Sequence, residues 1–171
     1  MADIKIRKPT RGEYNQIVRV VNSETTQYKR VLTQQKLEGI GIGKFLKKDL
    51  MEGEKTRSYI VAIKKVKIVG FASWYIKPNK IAWVSMLEVL PKYQQRGIGA
   101  SLLKSVEKIA KKRKARAVVL EVQKKAHWAI TFYKKMGYKI LSKRMLIRKL
   151  FVGTLVKPPV KATQVFGKIF F

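Results

Sequence analysis

The sequence has no cysteine and one histidine, His127. Neither a disulfide framework nor a thiolate metal site can form, and a lone imidazole makes no ligand cluster, so the chemistry is expected to run without a metal. No uninterrupted apolar run approaches the roughly 20 residues that a membrane span needs. The opening MADIKIRKPT lacks the long apolar core of a signal peptide. A cytoplasmic protein with no membrane association is the expectation. Acid is scarce as well: ten Asp and Glu stand against 39 Lys and Arg, a formal charge of +29. Such a potential attracts anions of any kind. A heat-adapted lysine-rich surface would usually be enriched in glutamate too, so an acidic partner is the better reading.

What is present suits one globular domain. A chain of 171 residues, 46% hydrophobic and 10% aromatic, can bury a sizeable core. DIKIRKP (3–9) alternates apolar and charged residues as a half-buried strand does. Tyr14, Ile17, Val18 and Val21 then recur at helical spacing. Thr10 with Glu13 three residues on forms a capping-box pattern at the start of that helix. KFLKKDLME (44–52) predicts a second helix. RSYIVAIKKVKIVGFASWYIK (57–77) predicts a hairpin turning at Lys64 and Lys65, and KIAWVSMLEVL (80–90) a third strand stopped by Pro91. Leu102, Leu103, Val106, Ile109 and Ala110 share one face of a helix from Ile98 to Arg113. A buried-type strand (115–123), a helix (127–136) closed by Gly137, and strands at 138–147 and 150–156 complete a mixed α/β sheet.

The joint between the third strand and the Ile98 helix is the informative place. PKYQQRGIGA (91–100) puts Gly97 and Gly99 where backbone geometry blocked by a Cβ becomes accessible, just as a helix begins. A helix N-terminus offers unpaired N–H donors and about half a positive charge, and Arg96 adds a fork of donors. Together these make a phosphate site. GIGIGK (39–44) lacks the spacing of a phosphate loop and reads as a connection between helices.

QQRGIGA (94–100) resembles the Gln/Arg-x-x-Gly-x-Gly/Ala signature of the GCN5-related N-acetyltransferases. LEVQKKAHWAITFYKKMGYKI (120–140) is similar to that family's fifth strand and following helix. IKIRKPTRGEYNQI and YIVAIKKVKIVGFASW resemble its opening strand-helix and central hairpin, so the likeness runs from about residue 4 to residue 147 in the family's order. The resemblance leans toward the branch that acetylates ribosomal proteins and peptide N-termini. It implies a GNAT-like domain over residues 1–156 with a mixed, mainly antiparallel sheet flanked by helices, and a C-terminal extension over 157–171. The apolar end of that extension is expected to pack on the protein's own sheet, with a partner subunit as the alternative. The implied acetyl donor is acetyl-coenzyme A. Its pyrophosphate would lie on the signature loop, Gln94, Gln95, Arg96, Gly97, Ile98, Gly99, Ala100 and Ser101, and its pantetheine arm against the strand around Leu87 and Val89.

Acyl transfer to an amine needs a base for the amine and an acid for the departing thiolate. Of the ten acidic residues only Glu88 and Glu121 fall inside apolar strand runs, where a carboxylate is costly unless used or paired. The resemblance implies Glu121 as base, with Glu88 second. It also implies Tyr133 as the acid. Proton transfer from a phenol near ~10 to a thiolate near ~8.5 costs roughly 2 kcal/mol, less in a positive environment. The family's frequent asparagine after the fifth strand is Ala126 here. Trp83 stands where peptide N-terminal acetyltransferases can carry a tyrosine, and His127 reads as an exposed side chain. The expected acceptor is a protein or peptide amine, an N-terminus or a lysine, and the basic surface suits RNA or a ribosomal particle as partner. A nucleic-acid-binding module on the same fold, with AKKRKAR (110–116) and KKVK (64–67) as its footprint, is the alternative. A polyamine acceptor is disfavoured, because the positive protein repels polycations.

Overall fold

Strand β1 (Ile4–Arg7) opens the chain, and Arg7 at its end grips Glu13 with both guanidinium nitrogens, at 2.9 and 2.6 Å. Glu13 also accepts the Thr10 N–H at 2.8 Å, so the expected capping pattern fixes the entry into a one-turn 3-10 helix (Arg11–Glu13) and helix α1 (Tyr14–Lys29). The computed structural model describes residues 4–29, 45–142 and 163–170, without the side chains of 24–29. The expected strand at 150–156 and the GIGIGK segment lie outside these residues. The chain divides into two compact units, residues 1–74 with 86–106 and residues 75–85 with 107–171.

In the first unit the strand order is β1-β2-β3-β4, with β2 (Ser58–Lys64), β3 (Lys67–Ile76) and β4 (Ile81–Val89), the last two continuing into the second unit. β1 pairs antiparallel with β2, and β2 with β3 as the expected hairpin, whose tight turn places Lys65 in the left-handed region at φ 54°. Tyr14, Ile17 and Val20 of α1 form one buried face and pack with Leu50, Tyr59, Val61 and Phe71. Val18 and Val21 flank that face half-buried, which shifts the expected stripe by part of a turn. The second helix, α2 (Lys47–Gly53), is capped by the Asp49 carboxylate, which accepts the Leu46 N–H at 2.6 Å. Asn22 holds the strand of chain before it through two 2.9 Å bonds to the backbone of Phe45.

The second unit carries the order β4-β5-β7-β6, with β5 (Ala117–Gln123), β6 (Lys139–Ile140) and β7 (Thr163–Ile169). β4 and β5 are parallel, and β7 runs antiparallel to both β5 and β6. Ile81, Ala117, Val119, Leu141 and Val165 form its core cluster. Helix α3 (Ile98–Lys112) passes from the first unit into the second, burying Leu102, Leu103, Val106 and Ala110, with Ile109 half-buried. Helix α4 (His127–Lys135) ends at Gly137, whose φ of 82° supplies the left-handed residue expected there. The class is α/β with a mixed, mainly antiparallel sheet flanked by helices, as expected. β7 was not foreseen as a strand: residues 163–169 of the extension pair with β5 along its whole length. Among the described residues no helix is long and apolar enough to cross a membrane.

Candidate active site

The joint at residues 90–101 is held from both sides within the first unit. The Leu90 N–H donates to the Val69 carbonyl at 2.9 Å, and the Gln94 side chain donates to the Val89 carbonyl at 3.0 Å. A single 3-10 turn, Pro91–Tyr93, then leads into Gln95 at φ 57° and Gly97 at φ 76°. Two left-handed residues within three reverse the chain sharply, and the helix starts at Ile98. Of the two glycines singled out from sequence, only Gly97 needs its conformational freedom, since Gly99 lies within the first turn of α3. The other left-handed residue, Gln95, has no glycine to mark it in the sequence. Gly70 on β3 lets the helix come close: a Cβ there would meet Leu102 Cδ1 at 2.9 Å, Ile98 Cγ2 at 3.2 Å and the Glu88 carbonyl at 3.3 Å.

A cleft of about 310 Å³ opens at this turn, lined by Ile4, Lys64, Tyr93, Arg96, Gly97, Ile98 and Ser101. The first N–H groups of a helix have no intrahelical acceptor and carry its positive end. Ser101 is already past them, because its N–H and its hydroxyl both donate to the Gly97 carbonyl, at 2.9 and 3.1 Å. The amides of Gly97 through Ala100 are therefore the donors left to an anion. Three cations surround the Tyr93 ring, with Lys64 at 5.7 Å, Lys92 at 5.3 Å and Arg96 at 5.9 Å from its centroid. Only Arg96 was expected. Lys64 comes from the hairpin, 32 residues earlier than Arg96, and nothing in the local pattern marks it. Amides at a helix start, flanked by cations and a cleft of this size, fit a pyrophosphate.

Leu87 is half-buried and Val89 buried at the end of β4. The pairing of β4 with β5 stops at Val84 and Leu120, although β4 runs on to Val89, so its last five residues keep one edge outside that ladder. An edge of this kind can hydrogen-bond an amide-bearing chain. Glu88 has a buried carboxylate oxygen, Oε2, with no hydrogen-bond partner. Two other carboxylates of this unit are engaged. Glu54 accepts the Tyr14 hydroxyl at 2.6 Å and the Arg11 guanidinium, and burial together with that bond pushes the Tyr14 phenol up to about 12. The Arg7 guanidinium holds Glu13 at about 2.

In the second unit Glu121 sits on β5 opposite Val165 of β7, exposed, and accepts the Thr163 hydroxyl. Both neighbours in the strand, Leu120 and Val122, are buried. Half-buried Tyr133 lies in an aromatic group, with Phe132 at 5.0 Å, Tyr138 at 5.9 Å and Phe166 at 6.3 Å between ring centroids. The Tyr138 hydroxyl donates to Glu107 at 3.1 Å, and Lys168 completes that buried pair at 3.0 Å. Ala126 starts helix α4 fully buried, His127 is exposed as expected, and half-buried Trp83 carries Lys77 Nζ 4.5 Å over its ring.

Residues 17–138 match the model of the acetyltransferase (GNAT) family. The uncharacterized N-acetyltransferase YjcF of Bacillus subtilis (strain 168) is 30% identical over 96 residues, which are 56% of this chain and 66% of that relative, just under two thirds of its length. The PaiA N-acetyltransferase from Thermoplasma acidophilum, solved in complex with coenzyme A, superposes with a TM-score of 0.79 at 20% identity, covering 98% of this chain and 99% of that one. The ribosomal-protein-S18-alanine N-acetyltransferase from Escherichia coli superposes with a TM-score of 0.67 at 15% identity, covering 96% and 92%.

Proposed function

Because this chain belongs to the acetyltransferase (GNAT) family of acetyl-coenzyme A-dependent enzymes, we propose that it acetylates a protein amine, an N-terminus or a lysine, and that the donor lies along β4 and the start of α3. The observation that carries the donor assignment is the turn itself. Gln95 and Gly97 in left-handed conformation aim the first amides of α3 into a cleft walled by Lys64 and Arg96. Acetyl-coenzyme A supplies an acetyl group activated as a thioester. The amides of Gly97, Ile98, Gly99 and Ala100 bind its pyrophosphate, with charge from Lys64 and Arg96, while the edge of Leu87 to Val89 hydrogen-bonds the pantetheine arm.

Glu121 removes a proton from the attacking amine, and the Tyr133 hydroxyl gives one to the sulfur that leaves. One specific observation favours a second reading for the base: Glu88 Oε2 is buried without a partner, whereas Glu121 holds the Thr163 hydroxyl. A buried, unpaired carboxylate oxygen is costly and suits a group that waits for a proton. Acceptors of the ribosomal-protein class agree with the activity of the Escherichia coli enzyme of similar fold and with a charge that attracts acidic particles. Mass spectrometry of a lysate supplied with labelled acetyl-coenzyme A tests the reading. Labelled protein N-termini or lysines are expected, and label confined to small amines would overturn the acceptor assignment.

A further inference from the structure

Twenty of the Lys and Arg residues fall in the second unit, against Glu107 and Glu121 as its only acids. Both acids are committed inside the unit, Glu107 to Lys168 and Tyr138, Glu121 to Thr163. The backbone gathers three segments that lie far apart in sequence, two of which supply the exposed cations. Arg116 donates its N–H to the Lys80 carbonyl at 2.7 Å and its guanidinium to the Asn79 carbonyl at 3.1 Å, while the Phe170 N–H donates to the Arg116 carbonyl at 2.7 Å. The β3–β4 turn, the end of α3 and the end of β7 thus meet at Arg116. Lys80, Lys111, Lys112, Lys114 and Arg116 are all exposed there, and neither 76–80, 108–116 nor 168–170 contains an acid.

Two further features mark this surface. Lys80 and Lys114 adopt left-handed backbone, φ 62° and 59°, where glycine or asparagine would be the easier residue. Lys65 and Gln95 of the first unit share that conformation, so the two patch lysines set the positions of their charges at the turns without being unique in it. The patch also lacks an apolar centre. Among the described residues, none of the large exposed apolar side chains, Leu46, Met51, Val66, Trp128 and Ile140, belongs to the three segments, and the half-buried Phe170 ring lies under Lys111 Nζ at 4.6 Å. Protein interfaces are built around an apolar, aromatic-rich core, and single-stranded nucleic acid is held on exposed aromatic rings. A surface that offers cations alone fits a partner recognised by its phosphates alone.

We infer that this three-segment patch binds the phosphodiester backbone of a nucleic-acid duplex, without reading its bases. The binding does not depend on the acetyl-transfer reading. It is tested with the full chain by fluorescence anisotropy on labelled RNA and DNA duplexes across a salt series. A variant replacing Lys80, Lys111, Lys112 and Lys114 by Gln is compared with a charge-matched variant replacing exposed Lys5, Lys8, Lys47 and Lys48 of the first unit by Gln. The patch variant should bind at least tenfold more weakly at 100 mM salt, and its log-log salt slope should fall by about three to four, at roughly 0.9 per lost phosphate contact. The control should lose much less. The RNA and DNA arms tell which duplex is preferred. Equal losses in the two folded variants would mean diffuse charge and overturn the patch. Binding that is undetectable at low salt, or that polyglutamate displaces as readily as duplex, would overturn the ligand.

Discussion

Tyr138 donates its backbone N–H to the carbonyl of Tyr133 at 3.0 Å, and the two rings meet edge-on with centroids 5.9 Å apart. The bond closes helix α4 together with Gly137, whose N–H donates to Lys134 at 3.0 Å. Tyr138 is itself fixed by Glu107 and is driven by burial well above the usual phenol range, so it stays neutral. Tyr133 is thereby carried on a helix end whose geometry is over-determined, which suits the proton donor it is proposed to be. Tyr133→Phe should lower kcat by ~10² to 10⁴ while coenzyme A affinity changes only a few-fold. Steady-state kinetics with calorimetry of coenzyme binding checks this, and an unchanged kcat removes Tyr133 from the chemistry.

The donor turn makes a separate prediction. Gly97→Glu combines a left-handed backbone unsuited to a side chain with a negative charge where phosphates are proposed to bind, so coenzyme A binding should be lost while the fold persists. Lys64→Gln should weaken coenzyme A binding by about three- to tenfold and make it less salt-sensitive, as expected for one partly screened charge. Full affinity in the Gly97 variant by calorimetry would move the site elsewhere.

The two carboxylates can be told apart by substitution. Glu121→Gln should depress kcat more than ~10²-fold if it is the base, with little change in coenzyme affinity. Should Glu121→Gln be nearly silent and Glu88→Gln severe, the orphaned oxygen on β4 is the base instead. The pH dependence of kcat/KM for each variant identifies which substitution removes the ascending limb.

The chain's elements were legible where periodicity and punctuation agreed. The α3 stripe from Leu102 to Ala110, Pro91 and Gly137 each mark a boundary by a local rule. The cleft was legible where its signal is local too, at Arg96, Gly97, Ile98 and Ser101. Lys64 reaches the cleft through the pairing of the hairpin, which no window of sequence contains, and Gln95 takes a glycine's conformation without being one. β7 was missed for a similar reason. Thr163–Ile169 follows two prolines and alternates poorly, and it becomes a strand by pairing with β5, which supplies the partner its own pattern does not advertise.

The Arg7–Glu13 clasp predicts an acid limb of stability. Arg7 holds Glu13 at about 2, below its ordinary 4.5, so the carboxylate favours the folded state. That contribution is complete above about pH 4.5, declines as pH falls, and is gone below about 2. With Arg7 36% and Glu13 20% exposed, solvent screening leaves only a small part of it. Urea midpoints measured from pH 6 to pH 2 should fall more steeply for the parent than for Glu13→Gln. Parallel curves would deny Glu13 any part in the acid limb.

Lys114 offers a test in which stability and binding should move in opposite directions. It ends α3 as the left-handed residue at φ 59°, with its N–H on the Lys111 carbonyl at 2.9 Å and the next N–H, of Ala115, on the Ala110 carbonyl at 2.9 Å. Glycine is the residue that this closure favours, because it has no Cβ to crowd the carbonyl. Lys114→Gly should therefore raise stability by ~0.5 to 1 kcal/mol, read as a higher urea midpoint at unchanged slope. Lys114→Ala keeps the strain and should leave stability near the parent's. Both substitutions remove the same charge from the patch, so both should lower the salt slope of duplex binding by about one. A Lys114→Gly protein that gained stability and kept its full salt slope would detach this lysine from the phosphate surface. One that gained none would mean that the left-handed end of α3 is held without cost.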